Sequence, residues 1–212
     1  MRVLLADDHK LMRKGLCHIL SHNSCNIVGE ASDGREAIAL AWELQPQVVL
    51  MDIAMPEMNG IEATRRITDG LASSHVLVLS VHAGRDYFFQ SMKAGARGYL
   101  QKDCTADELV EAVHQVARGE YYFGVSISEN FIQELLFRQE GEDQNAFSLL
   151  TSRECEVLQL LAEGWNTKKI AYELNVSSKT VEFHRLQIMK KLNLFTIADL
   201  TKYAIREGLT SL

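Results

Sequence analysis

The sequence predicts two folds in series. The first is a doubly wound α/β domain on a five-stranded parallel sheet, and the second is a smaller all-α domain of four helices. Three observations carry this. Over residues 1–122, short apolar runs alternate with amphipathic stretches, and strands that alternate with helices form a parallel sheet covered on both faces. From residue 147 onward the apolar spacing is helical throughout. Between the two, residues 139–145 (QEGEDQN) hold no apolar side chain, a composition that suits a solvated connector.

In chain order, strands are expected at residues 3–6, 27–31, 48–51, 76–80 and 98–101. Helices are expected at 10–21, 35–44, 61–68, 87–94 and 106–117. Asp33 with Glu36, and Thr105 with Glu108, have capping-box spacing at two of the helix starts. One amphipathic patch, residues 128–138, reads as a linker helix ahead of the connector. In the tail, Thr151 and Glu154 repeat the capping-box spacing before Val157, Leu158, Leu160 and Leu161. A short helix over 168–174 ends at Asn175-Val176-Ser177, a third helix spans 178–192, and a fourth spans 197–207 and stops at Gly208. Two helices joined by so short a turn form a helix-turn-helix arrangement. The expected boundaries are 1–122 for the α/β domain, 123–146 for the linker and 147–212 for the helical domain.

At 212 residues the chain can bury two cores, and its 47% apolar and 24% charged content is that of a globular protein. No apolar stretch approaches the ~20 residues of a membrane span, and Asp7 and Asp8 end the first apolar run too early for a signal peptide. No membrane partner is expected. Cys17, Cys25, Cys104 and Cys155 are scattered without a C-x-x-C pair, as free thiols in a reducing cytoplasm would be. The net charge of −6, taken whole, argues against nucleic acid. It is unevenly spread, however. Lys and Arg against Asp and Glu stand at 12 to 16 in residues 1–122, one to five in 123–146, and nine to seven in 147–212. Residues 166–191 carry six basic and two acidic side chains. The chain is acidic in front and locally basic behind.

In a parallel α/β sheet, polar residues at the carboxyl ends of the strands converge on one crevice. Asp7 and Asp8, Asp52, Ser80 and Lys102 all fall at such ends. Taken singly they have plainer readings: Asp7 and Asp8 as a helix N-cap, Ser80 as a loop hydroxyl, Lys102 as a solvated charge. Taken together they suit phosphoryl transfer to Asp52. A carboxylate and a phosphoryl group are both anionic, and a hard divalent cation such as Mg2+ neutralises both. Asp7, Asp8, Asp52 and the backbone carbonyl of Ala54 offer oxygen ligands. Lys102 can offset charge on the phosphoryl oxygens and Ser80 can donate to one of them. A phosphatase working through an aspartyl-phosphate needs a second Asp two residues after the nucleophile, where this chain has Ala54.

Residues 1 to about 122 resemble the receiver domain of two-component response regulators, a flavodoxin/CheY-like fold. The matching residues are Asp7-Asp8, Asp52 with Met55-Pro56 and Gly60, Ser80, and Gly98-Tyr99-Leu100-x-Lys102. The resemblance implies that Asp52 accepts a phosphoryl group from a phosphohistidine on a sensor histidine kinase. It also implies that Asp7 and Asp8 hold Mg2+, and that Tyr99 swings inward as Ser80 moves toward the phosphoryl group. From the residues alone, Tyr99 is a strand aromatic packing on a helix. Asp103 follows Lys102 where many receivers have proline.

At about 100° per residue, Val181, Ile188 and Leu192 share the inner face of the third tail helix. Lys179, Glu182, Phe183, Leu186, Gln187 and Lys190 lie opposite, with His184 and Arg185 at the borders. Such a face suits a major groove: Lys179 and Lys190 for phosphates, Glu182 for cytosine, Gln187 for adenine, Phe183 or Leu186 for a thymine methyl. Thr167, Lys168 and Lys169 open the second helix, where free N–H groups and positive charge favour phosphate. A merely solvated face is the plain alternative, but Phe183 and Leu186 exposed together call for a partner surface.

The tail also resembles the LuxR-type helix-turn-helix, through Leu150-Thr151-x-Arg153-Glu154-x-Glu156-Val157-Leu158, Lys168-x-Ile170-Ala171 and Val176-Ser177-x-Lys179-Thr180-Val181-Glu182-x-His184-Arg185. Lys169 stands where the family often has an acid, and Leu186 where a smaller or polar residue is usual. The combination resembles the NarL/FixJ type of response regulator. It implies a cytoplasmic, phosphorylation-dependent transcriptional regulator that binds a two-fold site on double-stranded DNA as a homodimer. It implies no enzyme beyond assistance to its own Mg2+-dependent phosphorylation and dephosphorylation. The last helix is then either the dimer contact or plain core. The alternative is a constitutive DNA-binding regulator whose receiver serves only as a dimer module.

Overall fold

The computed structural model describes residues 1–81, 85–124, 127 and 149–210. They fall into two compact units, one within Met1–Glu140 and one within Gly141–Leu212. The expected linker helix at 128–138 and the connector at 139–145 lie outside the described residues.

The first unit alternates strand and helix: β1 (Arg2–Ala6), α1 (Lys10–His22), β2 (Asn26–Ala31), α2 (Gly34–Leu44), β3 (Val48–Asp52), α3 (Gly60–Gly70), β4 (His75–Ser80), α4 (Arg85–Lys93), β5 (Gly98–Gln101) and α5 (Ala106–Ala117). The strands pair in parallel in the order β2-β1-β3-β4-β5. β3, at the centre, is buried at every residue, and a strand covered on both faces is an unbroken apolar run for that reason. One face packs Val3, Leu5, Val48, Leu50, Leu77 and Leu79 against Leu16 and Leu20 of α1 and Leu109, Ala112, Val113 and Val116 of α5.

The helix starts follow their caps. Asp33 accepts from the N–H groups of Arg35 and Glu36, Asn59 from Glu62, and Thr105 from Glu108. At α1 the N-cap is His9, with no side-chain cap bond. Asp7 and Asp8 therefore do not cap that helix. Asp7 extends the β1–β2 pairing, its N–H donating to the Ala31 carbonyl at 3.1 Å.

The sheet differs from expectation by one strand. Tyr122–Phe123 forms β6, parallel to β5 and pairing Gly98 with Tyr122 and Tyr99 with Phe123. The Tyr122 N–H donates to Arg97 and that of Gly124 to Tyr99, each at 3.0 Å. Two residues show no alternation that a sequence pattern could reveal. What places them is Gly119, at φ +78° just beyond α5, which turns the chain back to the sheet edge. The pairing runs one residue past the boundary expected at 122.

The second unit holds α6 (Ser152–Ala162), α7 (Thr167–Glu173), α8 (Ser178–Leu192) and α9 (Ile197–Arg206). Thr151 and Glu154 complete a reciprocal capping box at the start of α6. The Glu154 carboxylate, buried, also accepts from Lys191 Nζ at 2.6 Å, which ties α8 to α6. Val157, Leu158, Leu160, Ile170, Val181, Ile188, Leu200 and Ala204 form the core. α9 packs on α6 through Leu200, Tyr203 and Ala204, so that face of the last helix is core. The turn between α7 and α8 is Leu174–Ser177, with Asn175 left-handed at φ +51°. Among the described residues, no helix is long and apolar enough to cross a membrane, and all four cysteines are free thiols.

Candidate functional site

Parallel strands aim their carboxyl ends at one edge, and four of the five expected residues meet there. Lys102 Nζ lies 2.7 Å from Asp52 Oδ2 and 2.7 Å from Asp7 Oδ2. All three side chains are at least nine-tenths buried. Asp8, half-buried, joins them: one ligand atom from each of Asp7, Asp8, His9 and Asp52 falls in a group spanning no more than 4.8 Å. Ser80, buried at the end of β4, is hydrogen-bonded to the Tyr99 hydroxyl. Ala54 is half-buried in the loop after β3.

Burial pushes the Asp52 carboxyl up to about 6, because ionising it in this interior costs hydration. Lys102 opposes that shift and the neighbouring charges of Asp7 and Asp8 add to it. For Lys102, burial disfavours the ammonium, but Asp52 and Asp7 outweigh it and raise the pKa above that of an ordinary lysine. Tyr99 is pushed up to about 12, mainly by burial. Its ring is fully buried and meets Phe88 edge-on, with centroids 5.7 Å apart. Tyr99 is thus a strand aromatic packing on α4, the reading its residues alone suggest.

The donor set fits a hard divalent cation. Asp7 Oδ2 and Asp8 Oδ1 are buried yet lack a hydrogen bond of good geometry. The Lys102 ammonium and the His9 ring approach them at 2.7 Å. One ammonium, that of Lys102, serves Asp7 and Asp52 while Asp8 adds a third carboxylate, a negative excess that a cation would offset.

Two residues here escaped sequence reasoning. His9 follows the acidic pair, and its Nδ1 lies 2.7 Å from Asp8 Oδ1. Arg13, one turn into α1, donates to the Asp7 carbonyl and pairs with Glu30 at 3.4 Å, pinning the loop that carries both acids. Asp-Asp-His adjacency was the available signal for His9. For Arg13 only the fold supplies one.

In the helical unit, Val181 and Ile188 are buried as expected, while Lys179, Phe183, Leu186 and Lys190 are exposed. Gln187, His184, Arg185 and Thr180 are half-buried. Phe183 and Leu186, both more than half exposed, form an apolar pair on the outer face. Asn166 caps α7 ahead of Thr167, Lys168 and Lys169, and Lys169 Nζ sits 3.2 Å from the Trp165 ring centre. Glu182 is already occupied: it accepts from Thr167 Oγ1 at 2.7 Å and pairs with Arg185 at 3.0 Å. It bridges the start of α7 to α8, which sequence periodicity does not show.

Comparison with known proteins agrees with both units. Residues 3–114 match the model of the response regulator receiver domain, and residues 148–204 that of the bacterial regulatory proteins of the luxR family. The oxygen regulatory protein NreC of Staphylococcus carnosus is 35% identical over 215 residues, covering 99% of each chain. A LuxR-family two-component response regulator from Aurantimonas superposes with TM-score 0.60 at 32% identity, over 64% of this chain and 97% of the other. The response regulator RcsB, solved in complex with DNA, superposes with TM-score 0.58 at 26% identity over 96% of each chain. RcsB is also known as two dimers bound to two parallel DNAs. The chain belongs to the two-component response regulators that join a receiver domain to a LuxR-type DNA-binding domain, and it is a transcription regulator.

Proposed function

We propose that Asp52 is the phosphoacceptor and that its donor is a phosphohistidine on a sensor histidine kinase. The observation that carries this is Asp52 buried at the end of β3, with Lys102 Nζ 2.7 Å from one oxygen and Asp7 and Asp8 beside it. A carboxylate oxygen of Asp52 attacks phosphorus. The new O–P bond forms as the P–N bond breaks, and the leaving imidazole takes the electron pair. Lys102 offsets charge on the phosphoryl oxygens, and Ser80 donates to one of them after leaving Tyr99. Asp7, Asp8, Asp52 and the Ala54 carbonyl would hold Mg2+, which would supply charge to neutralise the two anions. The same residues assist dephosphorylation.

The phosphoryl group adds roughly −1.5 to −2 charges at one end of the sheet, biasing Ser80, Tyr99 and α4 between two arrangements. The receiver (1–122) acts through the linker (123–146) on the DNA-binding domain (147–212). The phosphorylated chain dimerises on a two-fold DNA site, in the cytoplasm. Lys179, Lys190, Thr167, Lys168 and Lys169 contact phosphates. Thr180, Phe183, His184, Arg185, Leu186 and Gln187 face the groove with Glu182.

Incubation of the full chain with Mg2+ and acetyl phosphate adds the mass of one phosphate, and Asp52→Asn adds none. No gain, or a gain that survives Asp52→Asn, sinks the assignment. On DNA, Lys179→Ala and Lys190→Ala each lower the log–log salt slope of binding by about one, read by fluorescence anisotropy. Unchanged slopes remove both lysines from the phosphate contacts.

A further inference from the structure

His9 stands outside the chemistry assigned so far. It occupies the N-cap of α1, yet its side chain caps nothing, and that side chain is 68% exposed. Packing and helix capping therefore do not account for an imidazole at this position. Its Nδ1 lies 2.7 Å from Asp8 Oδ1 and 3.4 Å from Asp7 Oδ1. Neighbouring ligands in an octahedral shell with bonds of ~2.1 Å stand ~3 Å apart, so the ring, now at ion-pair distance from Asp8, is close enough to share one ion with both carboxylates. The second sign of a cation is independent of His9: three carboxylates, Asp7, Asp8 and Asp52, converge where Lys102 supplies a single ammonium to Asp7 and Asp52.

The choice of ion follows from ligand chemistry. Mg2+ prefers oxygen donors, whereas imidazole suits first-row transition ions, whose affinity for such a site climbs from Mn2+ through Co2+ to Ni2+. We propose that His9 Nδ1 is a further side-chain ligand of the acidic site, strengthening its hold on first-row divalent ions between Mn2+ and Ni2+ beyond what the carboxylates alone provide. Mg2+ occupies the same place without His9. The proposal rests on the reading of Asp7, Asp8 and Asp52 as a cation site. On ligation the ring proton resides on Nε2, the Nδ1 lone pair goes to the ion, and the contact with Asp8 Oδ1 becomes that between adjacent ligands.

His18 and His22, one turn apart on α1 with ring centres 4.2 Å apart, can bind such ions themselves. The test therefore uses the untagged full chain carrying His22→Gln, titrated calorimetrically with Mg2+ and with Co2+. Adding His9→Gln weakens Co2+ by about tenfold or more, the scale of a lost metal-site partner, and changes Mg2+ by less than about twofold. In pulsed electron paramagnetic resonance, bound Mn2+ shows coupling to a nitrogen that His9→Gln removes. Equal loss of both ions, no loss of Co2+, or Mn2+ without nitrogen coupling overturns the proposal. Asp8→Asn weakens both ions if the cation site itself is right. If it weakens neither, that reading falls and takes the His9 role with it.

Discussion

Asp52→Asn is expected to stabilise the protein while abolishing its phosphorylation. Folded Asp52 titrates near 6 against 3.8 for a free aspartate, chiefly because it is buried. The folded state thus binds a proton more tightly than the unfolded chain. Stability from this group is complete below about 3.8 and is lost as the pH rises through about 6. At neutral pH without divalent cation, the ionised carboxylate costs on the order of 3 kcal/mol. Asparagine keeps the shape and removes the charge, while Lys102 retains Asp7 at 2.7 Å. In urea melts with EDTA at pH 7.5, the variant should exceed the parent by about 2–3 kcal/mol. The gap should narrow as the pH is lowered from 6 toward 4, and saturating Mg2+ should also narrow it by binding the native parent, with its full set of carboxylates, more tightly than the variant. A variant less stable than the parent, or a gap insensitive to pH, contradicts this account.

That charge was visible in the sequence because strand ends are local signals. Asp52 closes an apolar run, and in a parallel sheet the ends of such runs share an edge, so linear positions became one place. Asp7, Asp8 and Lys102 followed from the same rule. The residues that escaped are those whose role depends on how loops return. Arg13 reaches the Asp7 carbonyl only because α1 folds back beside β1 and β2. His9 takes the N-cap position that the plainer reading gave to Asp7 or Asp8, since Asp7 is held by its N–H bond to Ala31. β6 is two residues long, below any period. On α8, helical periodicity turned Glu182 to the outer face, but its bond to Thr167 depends on the approach of α7.

Gly60→Ala is expected to be the most damaging single-methyl change near the site. An added Cβ would stand 1.8 Å from the Asp52 carbonyl oxygen and 2.8 Å from its carbon. Both are backbone atoms of a central, fully buried strand, and no rotamer can move them aside. The glycine itself is fixed, as the first residue of α3, by its N–H bond to the Ile53 carbonyl at 2.8 Å. Its φ is not left-handed, so the requirement is closeness rather than turn geometry. Either α3 retreats or the end of β3 is displaced, and displacement carries the Asp52 carboxylate away from Lys102. Overpacking of this kind costs about 3 kcal/mol or more, and a shift of ~1 Å at a reacting group can slow chemistry by about a hundredfold. Gly29→Ala is the control. Its Cβ would meet the methyl ends of Leu44, Leu4 and Leu40, at 2.8, 3.0 and 3.7 Å, and the two closer ones can swing aside. Urea unfolding and acetyl phosphate labelling should therefore both suffer in Gly60→Ala, while Gly29→Ala keeps its labelling rate. If Gly60→Ala remained as stable as Gly29→Ala and was labelled as fast, the carbonyl of Asp52 would not be what requires glycine at position 60.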